Sequence, residues 1–383
     1  MTETTQPVGI GQLFNGERQF ENFARLQLRN RVTRMPAAAQ PYQFAEGPRI
    51  DLPESFQLNG AEASLAALLA DTDTSALVVL KDGAVRFEQY WLTGGRDVQW
   101  LSMSVAKSFV SALVGIALAE GLIDSLDDPI TRYASDLAGS AYDGVSIRNV
   151  LRMSSGARWN EDYADPQSEI YRLGAALAPG GSYDAFMRTM LRETEPGSVC
   201  QYNSADTQAL GMLVRGATGG SLTDYMRQKL YGPLGMESEG FWITDSQDVE
   251  MAFAGLLMTA RDFGKLGELY RNGGVWEGRQ LIPADYVAAS ISYDAPQRAP
   301  GKPLVGGHPF PLGYGYQWWL PEGDRGEFSA IGVYNQYVYV DPPRGIVIVK
   351  LSANPRYGLS HDDADNKDLE NILAFRAVCQ HFD

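Results

Sequence analysis

The densest apolar stretch of the chain runs from Phe109 to Ala119, directly behind Ser102, Ser104 and Ser108, and Gly121 follows it. Serines ahead of an apolar run cap a helix and a glycine behind it stops one, so the pattern predicts a helix that opens near Ser104. Its apolar positions go all the way round, which places it inside the protein rather than on its surface. Positions three apart share a helix face, so Ser104 and Lys107 point the same way.

Elsewhere the period changes. Residues 76–80 and 84–91 read as strands joined by Lys81-Asp82-Gly83, an Asp-Gly turn of the hairpin kind. Residues 130–137, 146–153, 183–192, 207–218 and 222–231 carry helical spacing. So do residues 259–272, stopped by Gly273-Gly274, and residues 283–290. Strand-like segments return at 313–320, 328–333, 336–340 and 346–351, and residues 367–379 predict a closing helix. Residues 61–70 suggest a short helix, and the Pro-, Gln-, Asn- and Gly-rich residues 1–60 an arm wrapping the body.

The expected fold class is therefore α/β. An antiparallel sheet flanked by helices is built from residues 61–123 and 260–383, a mostly α-helical domain from 124–259, and residues 1–60 form the arm. A cleft between the two parts is the natural place for a ligand.

Composition narrows the partners. A formal charge of −15 without a long basic cluster argues against nucleic acid. No apolar run approaches the roughly 20 residues needed to span a bilayer. The start lacks a basic segment followed by an apolar one, so no signal peptide is expected, and the cytoplasm is the expected location. Cys200 and Cys379 stand alone, far apart, and call for neither a disulfide framework nor a metal. No cofactor is implied, and the oligomeric state, monomer or homodimer, stays open. Only three histidines exist, His308, His361 and His381, with no G-x-S-x-G elbow, so lysine is the preferred base for any serine nucleophile here.

Ser104-x-x-Lys107 is the only such spacing in the chain. Two readings stand: Lys107 snorkels to water from a core helix, or burial strips its proton so that it can activate Ser104, whose place at the helix start favours a developing oxyanion. Tyr202, on a loop before a helix, either packs or relays a proton, its pKa then lowered by the nearby ammonium. Gly332 marks a bulge or lets a carbonyl approach the strand, with the amides of Val333 and Ser104 as an oxyanion hole. Tyr163 and the pair Trp318-Trp319 are core or cleft wall.

A Ser-x-x-Lys helix start, a tyrosine motif about 100 residues on and a C-terminal strand carrying a glycine resemble the serine β-lactamase and penicillin-binding-protein superfamily. More narrowly, the chain is similar to the 6-aminohexanoate-dimer (nylon-oligomer) hydrolases and the β-lactamase-like carboxylesterases. The stretches that carry the likeness include Leu101-Ser-Met-Ser-Val-Ala-Lys107, Asn160-Glu-Asp-Tyr163, Gln201-Tyr202, Thr259-Ala-Arg-Asp262, Gln317-Trp-Trp319, Ile331-Gly332 and Val349-Lys-Leu-Ser352.

The resemblance implies a serine hydrolase of small esters or linear amides. It assigns Ser104 as nucleophile, Lys107 as base, Tyr202 as proton relay, the amides of Ser104 and Val333 as oxyanion hole, and Tyr163, Trp319, Asn203 and Gly332 as substrate contacts. Its alternatives are a carboxylesterase without amidase activity and a non-catalytic ligand-binding relative. The pattern departs at Ala330-Ile331-Gly332, where a Lys-Thr-Gly motif would hold a β-lactam carboxylate, at Ser204 in place of the usual asparagine, and at Phe253 in place of the nylon-oligomer branch's asparagine.

Overall fold

The computed structural model describes residue 9, residues 12–305 and residues 308–382. Its centre is an eight-stranded sheet made of β1 (Ala45–Glu46), β2 (Ala76–Lys81), β3 (Ala84–Tyr90), β4 (Leu312–Tyr314), β5 (Trp319–Pro321), β6 (Phe328–Gly332), β7 (Gln336–Asp341) and β8 (Ile346–Leu351), in the order β4-β5-β6-β7-β8-β2-β3-β1. All neighbours are antiparallel except the edge pair β1 and β3. Strands from the two ends of the chain meet in the middle, with Ala76 opposite Leu351 and Lys81 opposite Ile346. The β2–β3 turn holds Asp82 and Gly83 at φ 51° and 75°, both left-handed, which matches the twist of the flanking strands.

Helices cover both faces. On one lie α1 (Val105–Ala119) and α3 (Ala260–Arg271), sharing a core with Val78, Leu80, Val338, Val340, Val347 and Val349. On the other lies α4 (Asp368–Gln380), whose Ile372 and Phe375 meet Leu77, Val79, Tyr337, Tyr339, Ile346 and Ile348. A sheet buried on both sides needs apolar residues at successive positions, which is why β8 shows no polar alternation. α3 sits close because of Gly267, where a Cβ would stand 2.6 Å from a Val347 methyl.

α2 (Ser204–Thr218) packs beside α1 and belongs to the helical part of the molecule. Gln317, between β4 and β5, ties the parts together. Its carbonyl accepts from the Ser108 hydroxyl at 2.7 Å, its side-chain oxygen from Thr207 at 2.6 Å, and its amide donates to the Leu151 carbonyl at 2.8 Å. That role requires Gln317 at φ 63°, so the expected continuous strand over 313–320 breaks there into β4 and β5.

Other expectations shift for local reasons. Residues 61–64 join a small hairpin with Ser55–Leu58, and the helix starts only at Leu65, capped by the Ser64 hydroxyl. Residues 130–137 form two short 3-10 turns. The Thr259-Ala-Arg-Asp262 stretch is scaffolding: Thr259 caps α3, and the Asp262 carboxylate accepts from the amides of Glu237 and Ser238. The arm contributes a strand, Val32–Met35, paired with Gly240–Ile243. No helix among the described residues is long and apolar enough to cross a membrane.

Candidate active site

Strand Trp100–Leu101, held by Leu257 and Met258, delivers the chain to the start of α1. Between them Met103 adopts φ 45°, a left-handed conformation that is costly for a residue with a side chain and that collects at functional turns. Ser104 is the N-cap of α1, yet its hydroxyl makes no capping bond. It accepts a hydrogen bond from Lys107 Nζ at 2.8 Å.

Lys107 is 1% exposed. Its amine also donates to the Ser204 hydroxyl at 3.0 Å and to the Phe253 carbonyl at 3.0 Å, and among the described residues no carboxylate lies within ion-pair distance. Burial pushes the amine down to about 8, with the charge of Glu161 pulling the other way. Three partners surround the nitrogen. After loss of one proton it can still donate to Ser204 and Phe253 while its lone pair faces Ser104.

Glu161 anchors this network from behind. Its carboxylate accepts from the Ser204 hydroxyl at 2.6 Å, the Ser204 amide at 3.1 Å and the Tyr163 hydroxyl at 2.7 Å, and from the Trp159 indole. Four donors on two oxygens satisfy a buried carboxyl group that has no salt bridge among the described residues.

Tyr202 lies with its ring centroid 5.1 Å from Lys107 Nζ. The expectation of a lowered pKa is corrected. Burial above all, then Glu161, raise the phenol well above its ordinary value, and only the Ser104 hydroxyl acts in the opposite direction among its larger influences apart from Asp368, which adds to the rise. The charges that act on the phenol are carboxylates.

At the end of β6 a Cβ on Gly332 would come within 2.9 Å of Ser104 N and 2.6 Å of Ser102 O. The glycine therefore lets the strand end lie against the start of α1, bringing the Val333 amide to the side of Ser104. No backbone carbonyl accepts from either of these two amides among the described residues.

Two cavities meet at Tyr163 and Val333. The first contains Ser104 and is walled by Leu13, Phe14, Leu101, Ile170, Met251 and Phe253 among others. The second contains Tyr202, Trp319, Phe310, Tyr357, Glu161 and Asp368. Among the described residues neither is lined by a lysine or arginine.

Of the residues singled out in the sequence, Ser104, Lys107, Tyr202, Tyr163, Trp319 and Val333 converge here. Two do not take the place expected. Asn203 caps α2, its side-chain oxygen accepting from the amides of Ala205 and Asp206, and it lines neither cavity. Trp318 is fully buried against Tyr270 and Phe328, so only its neighbour Trp319 reaches the cleft. Glu161 and Ser204 escaped attention as participants although both sit inside the quoted motifs, two residues from Tyr163 and Tyr202. Leu13, Phe14 and Asp368 carry no local signal, since only the folded chain brings its two ends to Ser104.

The profile of the β-lactamase family matches residues 62–371. The chain belongs to the β-lactamase family. Within that relationship it is 32% identical to the 6-aminohexanoate-dimer hydrolase of Paenarthrobacter ureafaciens over 296 residues, covering 75% of this chain and 74% of the relative. A solved structure from Bacillus anthracis, assigned as a 6-aminohexanoate-dimer hydrolase, superposes with a TM-score of 0.81 at 24% identity, over 94% of this chain and 93% of that one. A family VIII carboxylesterase superposes at 0.62 with 15% identity, over 82% and 95%. This β-lactamase-family chain is a serine hydrolase with the α/β fold expected from its pattern.

Proposed function

We propose that this enzyme hydrolyses small carboxylic esters and linear amides through an acyl-enzyme on Ser104. The observation that carries the proposal is the Lys107 amine, fully buried, 2.8 Å from the Ser104 hydroxyl and held near pH 8 by its surroundings. In this reading neutral Lys107 takes the hydroxyl proton, and the alkoxide attacks a carbonyl whose oxygen settles between the amides of Ser104 and Val333. Tyr202 passes a proton to the departing alcohol or amine. Water then attacks the acyl carbon, giving the acid and restoring the Ser104 hydroxyl.

The raised pKa of Tyr202 bears on how that proton moves. A phenol that resists ionisation donates only as it receives another proton, and in this reading that proton returns from Lys107, whose amine lies 5.1 Å from the centre of the Tyr202 ring. The same fact favours esters over amides, because an alkoxide leaves with less help than an amide nitrogen. A carboxylesterase without amidase activity is thus the second reading.

Tyr163, shared by both cavities, and Trp319 would contact the substrate, and the apolar cavity beside Ser104 suits a hydrocarbon acyl group. Among the described residues no lysine or arginine lines either cavity, which speaks against binding a β-lactam carboxylate. The proposal places the enzyme in the cytoplasm. A fluorophosphonate probe should label the purified enzyme at one site, and p-nitrophenyl butyrate should give an acyl-enzyme mass shift on the peptide containing Ser104. Labelling that persists in Ser104→Ala would overturn it.

A further inference from the structure

The second cavity joins five aromatic rings to two buried carboxylates and, among the described residues, no cation. Trp319 lies 5.0 Å from Tyr202 and 5.0 Å from Phe310 between ring centroids, and Tyr357 closes the opposite side. Glu161 uses all its near lone pairs inside the protein, as described above. Asp368, at the start of α4, accepts one hydrogen bond on each oxygen, from Tyr337 at 3.0 Å and from Tyr357 at 2.8 Å, and each oxygen keeps room for another partner. No basic side chain stands within ion-pair reach of either carboxylate among the described residues. Lys350 attracts Asp368 only from beyond that distance, and burial drives its amine towards the neutral form.

A buried carboxylate without a counter-charge is unfavourable, and aromatic faces attract cations, above all those too weakly hydrated to prefer water. We propose that this cavity receives a cationic leaving group, an alcohol or amine bearing a quaternary or alkylated ammonium, so that the preferred substrates are esters or amides of amino-alcohols or diamines with an apolar acyl group. The assignment rests on the hydrolase reading above: Tyr202, the proton donor to the leaving group, lines this cavity, while Ser104 lines the apolar one.

Hydrolysis then breaks the acyl C–O or C–N bond, the cationic alcohol or amine departs with the Tyr202 proton, and water supplies hydroxide to the acyl carbon and a proton back to the enzyme. Burial holds Asp368 at about 7, so an arriving cation also draws out charge that the empty cavity withholds. A leaving group ending in a carboxylate, by contrast, would meet two carboxyl groups and, among the described residues, no cation.

The test uses butyrylcholine and its uncharged isostere 3,3-dimethylbutyl butyrate on the full chain. Wild type should favour the cation in kcat/KM by about 10-fold or more, the size of a desolvated cation–aromatic contact with a charge behind it. Asp368→Asn and Trp319→Leu should each move that ratio towards one, whatever they do to the absolute rates. Tetramethylammonium should inhibit hydrolysis of p-nitrophenyl butyrate competitively in the unaltered enzyme, a reading that needs no variant to fold. Equal rates for the two isosteres, or no inhibition by tetramethylammonium, would overturn the cation assignment while leaving the hydrolase reading in place. No turnover of any of the three esters, with no acyl-enzyme, would instead remove the hydrolase reading and this assignment with it.

Discussion

Among the described residues two buried lysines, Lys107 and Lys350, donate to serine hydroxyls, and only the first does so beside a cleft. Lys107 donates to Ser104 at 2.8 Å at the start of α1, and Lys350 donates to Ser352 at 2.6 Å at the end of β8, with Thr72 as its second partner at 3.0 Å. Burial lowers the pKa of both amines, more severely for Lys350, where Glu370 and Asp368 oppose it only in part. Neither Lys350 nor Ser352 lines either cavity. A depressed lysine beside a hydroxyl is therefore not by itself a catalytic device. What sets Ser104 apart is a left-handed Met103 that presents the hydroxyl to an open cavity, a helix start, and a second strand end brought alongside by Gly332.

The sharpest break in this comparison is Ser104→Ala against Ser352→Ala. The first should lower kcat by about 10⁶-fold, the scale of removing a serine nucleophile, and abolish fluorophosphonate labelling. The second should label like wild type and lose about 1 kcal/mol of stability in chemical denaturation, as expected for one buried hydrogen bond. If Ser352→Ala were also unlabelled although folded by circular dichroism, the distinction between the pairs would collapse.

Next in size come the lysines. Lys107→Met should reduce kcat/KM by about 10²–10⁴-fold, the usual span for a general base, whereas Lys350→Met should leave kcat/KM intact. Gly332→Ala tests the strand that only the first pair possesses. Its new methyl must displace the Ser104 amide, and we expect about 10²–10³-fold off kcat, comparable to losing an oxyanion donor. A Gly332→Ala enzyme with wild-type kcat would place the oxyanion elsewhere.

The smallest effect is a pH profile. Lys107 acts in its neutral form, so below its pKa of about 8 the base is protonated and kcat/KM falls, and above it the rate levels off. Rates measured on an ester from pH 6 to 10 should show that limb. Deprotonation of Lys350 lies well below the ordinary lysine range and is hidden from substrate, so it should leave no mark on the profile.

How much of this was legible beforehand follows from where the information sits. Ser104 and Lys107 are one helical turn apart, so their contact is local and the spacing alone announces it. The strands of the sheet are equally local patterns, and β8 was delimited to the residue because both its faces are apolar. The broken strand at Gln317 was not visible, since its left-handed backbone answers to partners on α1, α2 and the helix ending at Leu151. Tyr202 stands just ahead of α2 as its motif suggests, but its acidity moves the other way, because the lysine is legible in the sequence while the carboxylates of Glu161 and Asp368 reach it only through the fold. The domain limits inferred from pattern remain a proposal, and the sheet drawn from both chain ends is what supports them.

That pairing of Ala76 with Leu351 has a consequence for biosynthesis. The helix bearing Ser104 leaves the ribosome early, whereas β6 to β8, the floor on which it rests, are translated in the last part of the chain. Until then one of the most apolar segments of the protein has nothing to lie on, and closing so long a loop is slow. The sheet under the Ser104 helix can therefore close only once Ile346–Leu351 has been made, and a chain halted before Ile346 lacks the strand that joins the two parts of the sheet.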